Sequence, residues 1–458
     1  MHWTKKQITI IAIIACTSFM STFLISSVNI ALPAIERTFS LNAVSLSWVV
    51  TSFLLATAMF LLPVGRFGDL MGTRKLFKAG VIIFTLSSLL SSIAWSGMWL
   101  IIFRYIQGMG TALTSTTGPA ILMTLFLPKY RGRVLGISVS AVYLGLAIGP
   151  FAGGFLTELF GWRSLFYVST VLGICISIIG FLFLDKDIPT QRAAKKINVS
   201  GSFFYMAGLV MLVYGSSQIP YIFGWLLLGS GVLSLNFFWI LESRSMVPVL
   251  DTKLYTENRL FAYSNLAALI NYSATFAIIF LLSLYLQKIK GMSPYEAGTI
   301  LIAQPVVMAV FSPVTGRLSD FIQPRYLSTL GMSMCTLGLI SFSLINASTP
   351  VWMIVISLLW VGLGFAFFSS PNMNTIMSSV NHHQYGIASG SASTMRVIGQ
   401  IISMTIAILF FAGMFGGQAI ETVEETVFLQ ALKWGFISFS FLSMAGIYFS
   451  YNRGKIKR

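Results

Sequence analysis

Charge is what this chain has least of. Only 9% of its 458 residues are Asp, Glu, Lys or Arg, against about 25% in a soluble domain. With 56% hydrophobic residues, no soluble fold of this length could hide its apolar surface, so the solvent is lipid. The remaining charge is lopsided, with 29 basic and 13 acidic residues for a net +16. In a soluble protein that excess would point to nucleic acid. Here the basic residues sit in short loops between apolar segments, and no nucleic-acid partner is expected. The three cysteines, Cys16, Cys175 and Cys335, fall inside apolar runs with no disulfide or metal spacing. The histidines are His2, His382 and His383, and the adjacent pair has no other metal-ligating residue type beside it. No metal or cofactor is expected. A Gly-x-x-x-x-Gly-Lys-Ser/Thr motif is missing, which argues against direct drive by ATP. Paired carboxylates and an activated Ser or Cys are missing too, which argues against a membrane enzyme.

What the chain has is long apolar runs. A hydrocarbon core of about 30 Å needs about 20 apolar residues as helix. Fourteen runs meet that need, near 8–32, 45–64, 76–95, 98–125, 134–158, 164–184, 201–219, 221–241, 260–286, 297–315, 326–346, 351–373, 386–412 and 428–450. The first is too long for a signal peptide and has no clear cleavage site, so it is read as a spanning helix. The expected fold class is an all-α polytopic membrane protein. Fourteen crossings leave both termini on one side. That side carries 22 Lys and Arg, and the other carries five: Arg37, Arg163, Lys288, Lys290 and Lys433. Arg104 and Arg396 lie within runs. The positive-inside rule then places both termini in the cytoplasm.

A polar, glycine-rich island, Gly65-Arg66-Phe67-Gly68-Asp69-Leu70-Met71-Gly72-Thr73-Arg74-Lys75, separates the second and third runs. It returns as Gly316-Arg317-Leu318-Ser319-Asp320-Phe321-Ile322-Gln323-Pro324-Arg325 between the tenth and eleventh, with Gly, Arg, Asp and the final Arg at a constant offset of 251. The repeat predicts two related six-helix halves and an inserted pair, 6+2+6. The expected divisions are residues 1–184, a linker with two inserted helices over 185–259, and residues 260–458. Two halves with a site between them is an arrangement that transporters use.

These residues resemble the major facilitator superfamily. The first island is similar to its Gly-x-x-x-Asp loop motif with Gly and two basic residues following. Arg104-Tyr105-Ile106-Gln107-Gly108-Met109-Gly110 resembles its Arg-x-x-Gln-Gly-x-Gly. Gly145 to Gly154, with Gly149-Pro150 at its centre, resembles the Gly-Pro signature associated with exporters, and Gly161-Trp162-Arg163 with Phe166 also match. The layout resembles the fourteen-helix drug/proton antiporter branch. The resemblance implies the major facilitator fold and a cytoplasmic latch formed by Gly65, Asp69, Gly72, Arg74, Lys75, Gly316, Asp320 and Arg325. It also implies a helix at 145–154 that shapes or seals the transport path.

The residues have physical readings of their own. Gly65, Gly68 and Gly72 permit tight turns, and Asp69 stands where it can meet the N-terminus of the third helix or a nearby Arg66, Arg74 or Lys75. Gly145, Gly149 and Gly153, four apart, form one face for close helix approach, beside Gly154, and Pro150 can kink the helix. An arginine inside a spanning helix normally faces a cavity or a partner. Arg104 shares its face with Gln107, Thr111 and Ser115, and Arg396 shares its face with Ser389, Ser393, Gln400 and Ser403. Ser18, Thr22, Ser26 and Asn29 form a weaker stripe on the first helix, because Ser and Thr also bond back to their own helix. Phe365, Phe367, Phe368, Asn372 and Asn374 are further candidates for a lining surface.

The departure from the antiporter pattern is at Leu24, where those proteins carry an Asp before Ala31-Leu32-Pro33. No acidic residue lies mid-run, which leaves Glu158, near the far end of the fifth run, as the remaining candidate for a proton. The expected function is secondary active export of amphipathic small molecules by alternating access, with a small-molecule substrate, protons or another ion as co-substrate, and the lipid bilayer of the plasma membrane as surroundings. A monomer is expected. Two alternatives stand beside it. One is export of anionic metabolites by a cavity that Arg104 and Arg396 make electropositive. The other is a membrane sensor or assembly partner that does not transport.

Overall fold

Lipid offers backbone N–H and C=O groups no partner, so spanning segments satisfy them internally as helix. The computed structural model describes residues 3–185, 198–245, 248–250, 252–381, 385–415 and 418–455. The side chains of Arg66, Asp69 and Leu70 and of residues 128–133, 135, 139, 385 and 386 stand outside that description. Among the described residues there are seventeen α-helices and no strand: α1 Lys5–Phe39, α2 Ala43–Met71, α3 Thr73–Ser92, α4 Gly97–Leu125, α5 Pro128–Phe160, α6 Arg163–Phe183, α7 Val199–Ser217, α8 Ile222–Arg244, α9 Thr252–Glu257, α10 Arg259–Thr275, α11 Ala277–Lys288, α12 Pro294–Leu301, α13 Ala303–Phe321, α14 Pro324–Ser343, α15 Val351–Ser378, α16 Tyr385–Phe415 and α17 Glu425–Asn452.

Among the described residues, thirteen spans are long and apolar enough to cross a membrane, with α10–α11 and α12–α13 each counted as one. The ninth and tenth runs are therefore bent rather than straight. The bends fall at Phe276 and Ile302, whose N–H groups still donate to Tyr272 and Gly298. The expected run not among these thirteen is the fourth, α4, which is 29 residues long but holds Arg104, Gln107 and a row of Gly and Thr, which lower its apolarity.

Each half is built on close backbone contact. In the first, α4 lies in the groove between α2 and α3. A Cβ added at Gly108 would lie 2.2 Å from the Phe53 carbonyl of α2, and one at Gly110 would lie 2.7 Å from the Phe84 nitrogen of α3. In the second, α15 lies between α13 and α14. There Gly362 abuts the Gln304 carbonyl and Gly364 the Gly331 carbonyl at 2.7 and 2.8 Å on the same measure. The inserted hairpin α7–α8 packs through α7 onto both α2 and α16, and the Tyr205 hydroxyl donates to the Ala58 carbonyl at 3.0 Å.

The glycine-rich islands are less loop-like than expected. Residues 65–71 belong to α2, and Gly72 alone, at φ +94°, turns the chain into α3. That positive φ favours glycine, because a Cβ there meets the carbonyl. In the second copy Gly316–Phe321 belong to α13, and Gln323 sits at φ −56°. The second turn has no need of glycine, which explains the change at this position. We expect Gly72→Ala to lower stability by about 1–2 kcal/mol, and Gln323→Ala to stay within about 0.5 kcal/mol of the native protein. Thermal unfolding in detergent reads both, and equal effects would refute this account of the turns.

Candidate functional site

The Gly-Pro segment of α5 has two working faces. Gly145, Gly149 and Gly153 face α1: Cβ atoms there would lie 2.3 Å from Thr22 Oγ1, 2.5 Å from Ser26 Cβ and 2.7 Å from Ser27 Cα. The other face meets the second half. A Cβ at Gly154 would lie 2.4 Å from the Pro294 carbonyl, and one at Gly298 would lie 2.2 Å from the Pro150 carbonyl. So α5 crosses α12 with backbone against backbone. Glu158 belongs to this contact: its exposed carboxylate accepts from the Tyr295 N–H at 3.1 Å, at the start of α12.

Around this crossing the face opposite the termini is closed. From Met20 to Glu36, every residue of α1 except Thr22 and Ala34 is buried, as is every residue of α11 from Ala277 to Leu286 except Ile279. The two helices meet where Ser283 Oγ donates to the Asn29 carbonyl at 3.0 Å and Gln287 Nε2 donates to the Ile30 carbonyl at 2.9 Å. Above them, buried Glu36 accepts from the Glu421 N–H at 3.2 Å, Arg37 pairs with the Glu421 carboxylate, and Lys288 Nζ donates to the Glu421 carbonyl at 2.9 Å. The Ala43 N–H completes the set by donating to the Gln418 carbonyl. Sequence reading placed Glu36 outside the first helix and passed over Ser283 and Gln287, although two polar residues one turn apart in an apolar run were a usable signal.

Arg104, Gln107 and Thr111 do not line a space between the halves, because they are enclosed within the first. Arg104 is fully buried: Nε donates to the Val49 carbonyl at 3.1 Å, Nη1 donates to Gln107 Oε1 at 2.5 Å, and the guanidinium lies 4.4 Å from the Phe53 ring centre. Gln107 Nε2 continues to Ser88 Oγ at 2.6 Å. Thr111 bonds back to its own helix. Ser26 and Asn29 are also packed, Ser26 Oγ donating to the Leu146 carbonyl of α5 at 3.3 Å. Asn372 belongs to another enclosed network, in which it accepts from Arg453 Nη1 at 2.6 Å and donates to the Ser264 carbonyl. Arg453 also reaches Ser328 Oγ at 2.9 Å, so the residue that ends α17 fastens it to α10, α14 and α15.

Arg396 is different. It is half-buried, and among the described residues its guanidinium has no hydrogen bond, ion pair or ring contact. Gln400, one turn further along α16, is likewise half-buried and unbonded. Tyr272 of α10 lies within electrostatic range of both Arg396 and Tyr143 of α5. The Tyr143 hydroxyl meets Ser369 Oγ of α15 at 3.4 Å, which joins the halves at mid-depth. Sequence reading found Arg396 and Gln400 but missed Tyr143, Tyr272 and Ser369, which periodicity does not separate from packing residues.

On the face bearing the termini, Arg74 lies 4.0 Å from Asp185, which also pairs with Lys6. The Lys6 hydrogen bond holds the Asp185 carboxyl below the usual carboxylate range, with Arg74 and Lys78 contributing charge. Arg325 donates to the Tyr326 hydroxyl and lies over the rings of Tyr326 and Tyr451, and Asp320 is exposed. The Asp69 side chain, and His382 with His383, lie outside the described residues. The enclosed Arg104 network has a natural control, because the second half carries Leu339, 251 residues after Ser88, and Leu358 and Val361, 254 residues after Arg104 and Gln107, all buried. We expect the triple change Ser88→Leu, Arg104→Leu and Gln107→Val to leave stability unchanged or raise it by about 1–4 kcal/mol. Gln107→Leu alone, which removes one acceptor from the buried cation, is expected to lower stability by about 1.5–3 kcal/mol. Thermal unfolding separates the two, and an unfolded triple variant would show that the network is required for folding.

Comparison with known proteins agrees with this architecture. The family model described as Major Facilitator Superfamily matches residues 14–404. The riboflavin transporter RibZ of Clostridioides difficile is 30% identical over 414 residues, spanning 90% of this chain and 89% of RibZ. The methylenomycin A resistance protein of Bacillus subtilis is 27% identical, spanning 88% of this chain and 87% of its own length. The multidrug resistance protein Stp of Mycobacterium tuberculosis is 29% identical, spanning 83% of this chain and 71% of Stp. Among solved structures, a bacterial homolog of the human lysosomal transporter Spinster superposes with a TM-score of 0.68 at 16% identity over 99% of this chain and 98% of its own. The xylose transporter XylE from E. coli superposes with a TM-score of 0.67 at 12% identity over 99% of both. The chain is therefore an integral membrane protein that belongs to the major facilitator superfamily, whose members are transporters of small molecules and not enzymes.

Proposed function

We propose that this protein is a secondary active exporter of amphipathic small molecules, working by alternating access between residues 1–184 and 260–458, with the hairpin in 185–259 spanning the two. The observation that carries this is an asymmetry. Every described hydrogen bond and ion pair between the halves lies at mid-depth or on the face opposite the termini. The excess of Lys and Arg on the terminal face supports reading that face as cytoplasmic, which makes the gate that these bonds close the outer one. The glycine-rich turns on the inner face, Gly65 to Lys75 and Gly316 to Arg325, serve as the latch that forms when the inner face closes. The resistance and export names of the relatives support the outward direction.

Opening the outer gate would uncover Glu36 and release Glu158, both of which accept a backbone N–H from the other half. Protonating either one removes a charged acceptor, and hydrogen bonds to charged groups are the stronger kind, so acid outside favours opening. Glu36 is the better candidate because it is buried in the closed gate, whereas Glu158 is already hydrated. A second reading, export of anionic substrates, is favoured by the unpaired Arg396.

A locked gate tests alternating access. In a cysteine-free background, Asn29→Cys with Ser283→Cys, joined by a short reducible cross-linker, is expected to cut efflux from proteoliposomes at least tenfold, with recovery on reduction. Full efflux by the linked protein would overturn the proposal. Glu36→Gln is expected to remove the dependence of efflux on external pH while leaving substrate counterflow in place. An unchanged pH dependence would assign the coupling elsewhere.

A further inference from the structure

Of the three arginines that the helices enclose, two have bonded acceptors, although Arg104 Nη2 and Arg453 Nε have none among the described residues. Arg104 and Arg453 are each held by backbone or side-chain acceptors within one half. A charged side chain inside a spanning segment is costly unless it faces water or pairs with a partner. The chain meets that condition twice and leaves Arg396 without a described partner. Arg396 also lies where the two halves face each other. At 1.5 Å per helical residue, Arg396, Tyr272, Tyr143 and Ser369 all lie about 14–22 Å along their helices from the terminal face.

Resting on the transporter reading above, we propose that Arg396, Gln400 and Tyr272 form a substrate subsite for a planar aromatic molecule carrying an acidic group. Arg396 receives the acid, since a guanidinium offers paired donors that match carboxylate, sulfonate or phosphate oxygens. Gln400 sits one turn away on the same helix and supplies a neutral hydrogen bond. The Tyr272 ring is the wall for the substrate's aromatic part. Phe365 meets it edge-on, with centroids 5.4 Å apart and planes at 74°, an arrangement aromatic pairs prefer. Its position beside Arg396 is set by Gly399, where an added Cβ would lie 2.8 Å from Tyr272 Cβ and 2.6 Å from the Leu269 carbonyl. α16 and α10 can approach this closely only with glycine at that position. Tyr143 of α5, whose hydroxyl meets Ser369 of α15, brings the first half to the same place, so an occupant touches both halves.

The subsite also discriminates by repulsion. Among the described residues, no Asp or Glu pairs with Arg396, and the interface acids Glu36, Glu158 and Glu421 are all at the opposite face. A planar cation would meet an unneutralised guanidinium, and like charges repel. An anion of the same shape supplies the missing counter-charge.

The test uses the full-length protein in lipid nanodiscs and two fused-ring dyes of opposite charge, carboxyfluorescein and ethidium, read by fluorescence anisotropy. The native protein is expected to bind carboxyfluorescein more tightly than ethidium. Arg396→Gln is expected to weaken carboxyfluorescein binding by about 10- to 100-fold, the range for a lost charged hydrogen bond, without weakening ethidium. Arg396→Lys should fall between, and Tyr272→Ala should weaken both dyes while Tyr272→Phe retains most binding. If Arg396→Gln does not yield a folded protein, Arg396→Lys and Gln400→Leu test the same contact. Tighter ethidium binding by the native protein, or an Arg396 variant that binds carboxyfluorescein as the native protein does, would overturn the subsite. Counterflow in proteoliposomes separates the two proposals. Dye that binds through Arg396 but never crosses would overturn the transport reading alone, and transport of carboxyfluorescein indifferent to Arg396 would overturn the subsite alone.

Discussion

The backbone of α5 touches a neighbour on each side, and the rest of the architecture follows from those two contacts. Lipid tails are as apolar as leucine, so no hydrophobic force draws spanning helices together. Close packing must supply the association, and small residues permit it. Gly145, Gly149 and Gly153 let α1 lie against α5 within the first half, while Pro150 and Gly154 meet α12 of the second. One helix is therefore fixed to its own half along one face and leans on the other half along another. A movement of the halves that preserves the first contact must break the second. That asymmetry makes α5 a natural hinge partner for a rocking motion, and the polar contacts of α1 with α11 and of Glu36 with the 420–421 turn close the same face beside it.

The two halves share a scaffold and differ in what they put inside it. Gly108 and Gly110 in α4 have counterparts in Gly362 and Gly364 of α15, 254 residues on, and each pair sets the distances within a three-helix group. Around those glycines the first half holds Arg104, Gln107 and Ser88 in one bonded row, where the second holds Leu358, Val361 and Leu339. The apolar version shows that the geometry does not require the charge. The polar version shows that a buried arginine can be stored inside one half without facing any path. An arginine within a spanning helix is thus not by itself a lining residue. What distinguishes Arg396 is the absence of a described partner together with its place between halves.

Much of the fold was legible from residues alone. The apolar runs gave the helices, because lipid imposes a length and an all-round apolarity that few soluble segments reach. The repeated Gly-Arg-Asp-Arg pattern gave the two halves. The exception in hydropathy, α4, is also where motif residues crowd, since a stripe of polar and small residues lowers apolarity wherever it is used. The site was less legible. Arg396 and Gln400 stood out by type, whereas Tyr143, Tyr272 and Ser369 look like ordinary members of apolar runs, and Glu36 looked like a loop residue until α1 was seen to continue past it. Periodicity shows which residues share a face of one helix. It carries no information about whether that face meets a sister helix, the other half or lipid.

The sequence by itself determined that this chain lives in a bilayer, that it is helical and duplicated, and that basic residues cluster on the side of its termini. Each of these follows from local composition, which the membrane reads segment by segment. Only the tertiary structure decided which of the enclosed arginines is free, which face is shut, and that the glycines of α5 serve one neighbour while its proline serves another. Those outcomes depend on which helices come within a few ångströms of each other, and contacts between residues such as Tyr143 and Ser369, 226 positions apart in the chain, are set by the packing of the whole bundle.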